Sequence, residues 1–384
     1  MDTDLLIIGG GPAGCAAAVM AASVGMRSVL IEADDALCGA LRRIPVVSNV
    51  LGATSGPDLA ATIEADLARC DLCRVELSRR ATLVEGFDDR VEVTVEPVDS
   101  VEPVEPVRLG EPVRLGEPVR LGEPVRLGEP VRLGEPVRSV KPVEPTEPVE
   151  PVKPVEPVRS AWVRGSRLTA RYVVVATGVG PLGPEEAGWL GGVAGRALPP
   201  LWEADPAAID DRTVLVLGAD RPLGTVARAH PELRTRFVVA YPPEDVYKTE
   251  EIRRDARVEL VAVRRLEFGS GSAPVTAEVR TVEGERRTLT ADLAFLNLGS
   301  APAPPAGAVV TDRSGYCPPG RQHPRVFTAG DLRSARFQRI ATAMGSGGEA
   351  ALGAYYASRG LPTGTGGGPS TEVGGPPPDP AGGG

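Results

Sequence analysis

The sequence predicts an α/β protein built on two doubly wound parallel sheets, and three observations carry that prediction. The apolar run Leu5-Leu6-Ile7-Ile8 ends in a glycine-rich turn that opens a small-residue helical stretch. The same strand-into-glycine arrangement returns at Thr213-Val214-Leu215-Val216-Leu217-Gly218. After each start, short apolar runs alternate with helical stretches, the order that yields parallel strands joined by crossovers.

In chain order, the first turn is Gly9-Gly10-Gly11-Pro12-Ala13-Gly14, and Ser28-Val29-Leu30-Ile31 follows as a second strand ending in Glu32. Strand, tight turn, helix, strand and then an acid about 20 residues on is the context that gives a glycine triplet a mechanism. Gly9 permits the turn, Gly11 lets the backbone approach a pyrophosphate, and Gly14 allows the helix to pack on the sheet. Pro12 and Ala13 open the helix, whose bare amides face the phosphates. Glu32 can accept hydrogen bonds from both ribose hydroxyls of an adenosine but would repel a 2′-phosphate. FAD or NAD is therefore expected there in preference to NADP.

Asp58 to Ala68 reads as an amphipathic helix, with Cys70 and Cys73 expected on one face of its end. Arg90 to Val95, and Ala161-Trp162-Val163 with Arg167 to Ala170, alternate like two adjoining strands. Between them lies a Glu-Pro-Val tract with the hexad Glu-Pro-Val-Arg-Leu-Gly at Glu105, Glu111, Glu117, Glu123 and Glu129. Recurrent proline removes amide donors and biases the preceding residue away from helix, so an extended, solvated loop inside a hairpin is expected. Loop length costs stability only logarithmically, so removing Glu102 to Pro157 is expected to leave the fold intact.

Tyr172 to Val175 is the next strand, running into Ala176-Thr177-Gly178. In the second half come Arg236 to Ala240, then the return segment Ala294 to Gly299, then Val326-Phe327-Thr328-Ala329-Gly330-Asp331. The Gly- and Pro-rich tail from Leu361 has too little apolar surface to fold. These readings divide the chain into 1–95, a tract at 96–159, 160–194, a second unit at 195–290, a return to the first at 291–360, and the tail 361–384.

With 42 basic and 51 acidic residues the net charge of -9 gives no reason to invoke nucleic acid. Five irregularly spaced cysteines fit a reducing cytoplasm better than a disulfide framework. His230 and His323 stand at no ligand spacing from a cysteine pair, so no metal is expected. The acidic start Met1-Asp2-Thr3-Asp4 and the glycines that interrupt Leu5 to Met26 argue against a signal peptide, and no run reaches membrane-spanning length.

Four segments in order, Gly9 to Gly14 with Glu32, Ala176-Thr177-Gly178, Thr328 to Asp331, and Ala341 to Gly347, resemble the two-dinucleotide-binding flavoproteins, specifically the low-molecular-weight thioredoxin reductases. The resemblance covers Thr3 to about Ala357 apart from the repeat. It implies two Rossmann-like dinucleotide-binding domains, the FAD domain discontinuous, and a homodimer through the FAD domains. It further implies that Thr177 and Gly178 line the FAD site, that Gly330 and Asp331 bind the ribityl chain, and that amides near Thr342 and Ala343 stabilise negative charge on the reduced ring.

The chain departs from that family where the chemistry of the second domain would lie. Where the family carries Cys-x-x-Cys-Asp, this sequence reads Leu201-Trp202-Glu203-Ala204-Asp205, so the two thiols of a disulfide relay are missing. Trp202 becomes a candidate for covering the ring and Asp205 for moving a proton, with a core tryptophan and a helix start as the bland alternatives. The second glycine motif has Asp220 in place of its second glycine, a repulsive neighbour for pyrophosphate, and Tyr241-Pro242-Pro243-Glu244-Asp245 replaces the cations that would hold a 2′-phosphate. NADH stays compatible and NADPH is disfavoured. The expected function is an FAD-dependent oxidoreductase working without the family's dithiol, its donor and acceptor open. A flavoprotein without turnover, serving as sensor or scaffold, and a disulfide reductase using Cys70 and Cys73 are the alternatives. Cys15, one residue past Gly14, reads as a small packing residue.

Overall fold

The computed structural model describes residues 3–98, 165–271 and 274–362, all within one compact unit. The Glu-Pro-Val tract from residue 99 on and the tail from residue 363 lie outside the described residues.

The first lobe contains β1 (Leu5–Ile8), α1 (Pro12–Ser23), β2 (Ser28–Ile31), α2 (Gly39–Arg42), α3 (Gly56–Ala68), β3 (Cys73–Glu76), β4 (Arg79–Gly86), β5 (Val91–Pro97), β6 (Ser166–Ala170) and β7 (Tyr172–Val175). Its parallel sheet runs in the order Val326–Thr328, β7, β1, β2, β3. All four residues of β1 are buried because both faces are covered. Leu5 and Ile7 pack with α1 and the helix Ile340–Ser358, while Leu6 and Ile8 pack with valines of β4 and β5. The small residues of α1 admit that second helix closely: a Cβ on Gly347 would stand 2.0 Å from the Ala13 carbonyl oxygen.

The two flanks of the repeat pair as the alternation predicts, from Val91 opposite Ala170 to Val95 opposite Ser166. The expected part of the flank at Ala161 to Val163 lies outside the described residues. One expectation about the cysteines fails. α3, capped by Ser55 through its oxygen to the Asp58 amide (3.2 Å), ends at Ala68, and Cys73 already belongs to β3. Cys70 and Cys73 therefore flank a turn, closed by Cys73 N–H to Cys70 O at 3.0 Å, because the chain must reverse there to pair β3 with β2.

The second lobe is doubly wound only in part. Leu293–Leu296, Thr213–Leu217, Arg236–Tyr241 and Val258–Phe268 are parallel, but Val258–Phe268 continues into an antiparallel meander with Val275–Thr281 and Arg286–Ala291. The expected limits of 195 and 290 are too narrow: Leu190–Gly191 pairs with Val258–Phe268, and Leu293–Leu296 pairs with Thr213–Leu217. The apolar Leu293–Leu296 fills this sheet's edge before the chain returns to the first lobe. The two crossings between lobes pair with each other, Val179–Pro181 antiparallel to Ser300–Pro302. Among the described residues no helix is long and apolar enough to cross a membrane.

Candidate functional site

The glycine turn of the first lobe is shaped by contacts that exclude any side chain. Gly9 has φ +103°, and a Cβ there would lie 2.5 Å from Ala176 O; a Cβ on Gly14 would lie 1.8 Å from Gly9 O. Gly11 differs, since nothing lies within 4 Å of its Cβ position, so the turn is open on the side where α1 begins. Gly11 is the N-cap without a side-chain cap, Pro12 has no N–H, and the first intrahelical bond is Cys15 N–H to Gly11 O at 3.0 Å. The Ala13 and Gly14 amides precede it and are available to an anion.

Three further segments converge on this turn. At the end of β2, Glu32 accepts the Gly10 N–H through one oxygen and the Asp34 N–H through the other at 2.9 Å, so the carboxylate is held beside the turn. After β7, Thr177 Oγ1 is buried with no hydrogen-bond partner, and Gly178 turns the chain at φ +66°. The Gly9 Cβ position is 3.0 Å from Thr177 N. From the other side Gly330, at φ +70°, puts its Cβ position 2.9 Å from the Ala13 Cβ and donates its N–H to Ser346 Oγ at 2.8 Å.

Asp331 follows Gly330, and burial raises its carboxyl above the usual aspartate range while Arg221 and Arg339 pull it back. The Gln338 side chain donates to Asp331 O (3.3 Å) and Ser334 O (3.2 Å), and the Gln338 carbonyl accepts from Arg339 (2.8 Å) and Arg221 (3.0 Å). Arg221 comes from the second lobe, so that lobe's glycine turn is tied to the Asp331 region. At the start of the Ile340–Ser358 helix Thr342 Oγ1 accepts the Arg339 N–H at 3.1 Å. The Ala343 amide, expected to face the ring, instead donates to Arg339 O at 2.8 Å as the first intrahelical bond. Only the amides before it, Ile340 to Thr342, precede that bond. Phe337, 80% exposed at φ +64°, stands beside this start. Nothing in the sequence marked it, because its strain follows from a turn fixed by tertiary contacts.

In the second lobe the first glycine repeats the first lobe's geometry: Gly218 has φ +102°, with its Cβ position 2.3 Å from Asn297 O. The rest of that turn is filled. Asp220 stands where an open glycine would be needed, fully buried Leu223 occupies the third glycine position, and Asn297 Nδ2 pins the loop through Asp220 O (2.8 Å) and Gly218 O (3.3 Å). Lys248, which sequence reading missed, pairs with Asp245 at 2.9 Å, and the Gly299 Cβ position is 3.7 Å from both Lys248 Nζ and Asp220 Cγ. Trp202 lies in the short turn Leu201–Glu203 against the helix Pro222–Ala229, its Nε1 buried without a partner. Asp205 caps the helix Pro206–Ile209, accepting the Ala207 N–H at 3.0 Å. The interactions of both candidates lie within the second lobe.

All five cysteines are free. Cys317 is pushed up to about 11 by burial. Among the described residues no three His, Cys, Asp or Glu side chains group as metal ligands. A groove of about 1210 Å³ runs along α1 and the Ile340–Ser358 helix; Gly11, Glu32, Thr177 and Asp331 do not line it.

The fold and the first turn thus define a two-lobed α/β protein of Rossmann-like architecture. Residues 4–67 match the model of the FAD dependent oxidoreductase family, which covers β1, α1, β2 and most of α3. The fold is that of thioredoxin reductase. The Lactococcus lactis enzyme is 18% identical with a TM-score of 0.63, over 94% of this chain and all of that one. The T. acidophilum thioredoxin reductase is 18% identical with the same TM-score, over 93% and 99%. The bacillithiol disulfide reductase of Bacillus cereus is 17% identical with a TM-score of 0.56, over 93% and 99%. No curated protein matches the chain. The chain thus has a thioredoxin-reductase-like fold, matches the FAD dependent oxidoreductase model at its first turn, and carries no cysteine at Leu201 to Asp205 in its second lobe.

Proposed function

We propose that this protein is an FAD-dependent oxidoreductase whose flavin exchanges electrons directly with its donor and acceptor, with no protein dithiol relay. The observation that carries the reading is the first-lobe cradle, where an open Gly11 faces helix amides and the buried Thr177 hydroxyl has no protein partner. Those groups fit FAD. Gly11, Ala13 and Gly14 would hold the pyrophosphate, Glu32 the adenosine ribose, and Thr177, Gly178, Gly330 and Asp331 the region beyond it. When bound, the flavin supplies hydride and electron transfer, and the protein supplies position and charge. Asp331 accepts a hydroxyl in its ionised form. The Ile340–Thr342 amides, with Arg339 and Arg221 nearby, set a positive field at the end of the cradle.

The filled second turn supports the finer reading that NADPH is not the donor and that NADH binds weakly at best. The same observation favours a second reading, a flavoprotein without turnover. Anaerobic mixing of the purified protein with NADH, NADPH or reduced ferredoxin, following the flavin band, separates the two. Bleaching by NADH or ferredoxin supports the oxidoreductase. A yellow protein that none of them reduces supports the second reading, and a colourless preparation that takes up no added FAD overturns both.

A further inference from the structure

Cys15 and Cys38 stand 23 positions apart in the sequence and meet in the core of the first lobe. Both side chains are buried in one core cluster. They converge on one atom of the cofactor turn: Gly10 O accepts from Cys15 Sγ at 3.2 Å and from the Cys38 N–H at 2.9 Å. The N–H of the same Gly10 is held by Glu32. Cys38 has φ +58°, a left-handed conformation that costs a non-glycine residue energy and persists only where surroundings enforce it. Cys15 also lines the groove between α1 and the Ile340–Ser358 helix, giving a small oxidant an approach. By contrast Cys70 and Cys73, the pair with the familiar spacing, straddle a turn, with the Cys73 thiol pointing to Arg74 O at 3.9 Å.

We propose that Cys15 and Cys38 are an oxidisable dithiol that closes to a disulfide within the β1–α1–β2 unit, with hydrogen peroxide as oxidant. One sulfur, as thiolate, attacks a peroxide oxygen; the O–O bond breaks, water leaves after protonation, and a sulfenic acid remains. The second sulfur then displaces hydroxide from the first, so that the S–O bond breaks and the S–S bond forms. Two thiols lose two electrons, hydrogen peroxide gains two, and two waters leave. The new bond takes the Cys15 sulfur off Gly10 O, the carbonyl of the residue whose N–H Glu32 accepts. The inference rests on the thiol geometry and not on flavin occupancy.

The test is peroxide treatment of the native full-length protein, alkylation of remaining thiols, denaturation and peptide mapping. The expected result is a fall from five titratable thiols to three, a Cys15–Cys38 cross-linked peptide, and a raised unfolding midpoint that dithiothreitol reverses. C38S should keep all four of its thiols under the same treatment. Five thiols surviving a peroxide dose that oxidises free glutathione would overturn the proposal, as would a Cys70–Cys73 linkage in its place. Should C38S fold poorly, the wild-type map decides alone.

Discussion

The two glycine turns of this protein start alike and end differently, and the difference separates what a sheet demands from what a ligand demands. Gly9 and Gly218 share a left-handed backbone, and each is backed by a carbonyl from the neighbouring crossover, Ala176 in one lobe and Asn297 in the other. That glycine is required by the fold, because a strand must turn into a helix under an adjacent strand end. The next positions are free to vary once no ligand must be approached. The first lobe keeps Gly11 open and Gly14 in contact with Gly9, while the second carries Asp220 and a buried Leu223. The first turn remains a cradle and the second has become a packing joint, tied by Arg221 to Gln338.

The largest effect expected from breaking this comparison comes at Gly14. G14A must push Gly9 O away from a contact of 1.8 Å, and overpacking of this kind costs about 3 kcal/mol or more. A drop of that size in urea stability is expected, whereas L223A in the second lobe should lose a similar amount for the opposite reason, by leaving a cavity. Wild-type stability in either variant would show that packing does not fix that turn at the substituted position.

D331N comes next. Replacing a charged acceptor should weaken FAD binding by about 2 kcal/mol, roughly 30-fold, in a flavin titration. Because burial raises the Asp331 pKa in the folded state, the folded protein binds that proton more tightly than the unfolded chain. Stability is therefore lost as pH rises from the ordinary aspartate range, about 4, through the raised value. Flavin affinity should rise over the same window as the carboxylate forms. D331N should flatten both curves and be no less stable than wild type at neutral pH. A D331N protein with unchanged FAD affinity would remove Asp331 from the site.

T177V sharpens the comparison at about 1 kcal/mol. Without flavin, the buried and unpartnered hydroxyl is a cost, so the valine protein should be as stable as wild type or more so. With FAD its affinity should fall several-fold, a crossed result that simple damage to packing cannot produce. R221A should be smallest in stability. By removing one of the two cations near Asp331 it should move the pH dependence of flavin binding upward, with R339A acting in the same sense.

Much of the first lobe was legible because its signals are local. The apolar run of β1, the glycines at 9 and 14 and the acid at the end of β2 each report a constraint met within a few residues, and the structure meets them there. The flanks of the repeat were legible for the same reason, since alternation with period two survives whatever is inserted between them. The Ala343 amide, by contrast, was misplaced by one residue, because where a helix starts depends on the capping geometry of Arg339 and Thr342. The Cys70–Cys73 helix face failed because the chain had to reverse to reach the sheet.

The order of residues by itself determined the first turn, the absence of cysteine from Leu201 to Asp205 and the loss of open glycines in the second turn, since each depends on residue identity at neighbouring positions. Only the tertiary structure decided that Arg221 meets Gln338, that Asp220 and Lys248 both approach Gly299, and that Cys15 Sγ and the Cys38 N–H meet on Gly10 O. Those pairs lie far apart along the chain, and nothing in a local pattern encodes a meeting that arises when separate helices, strands and crossovers pack against one another.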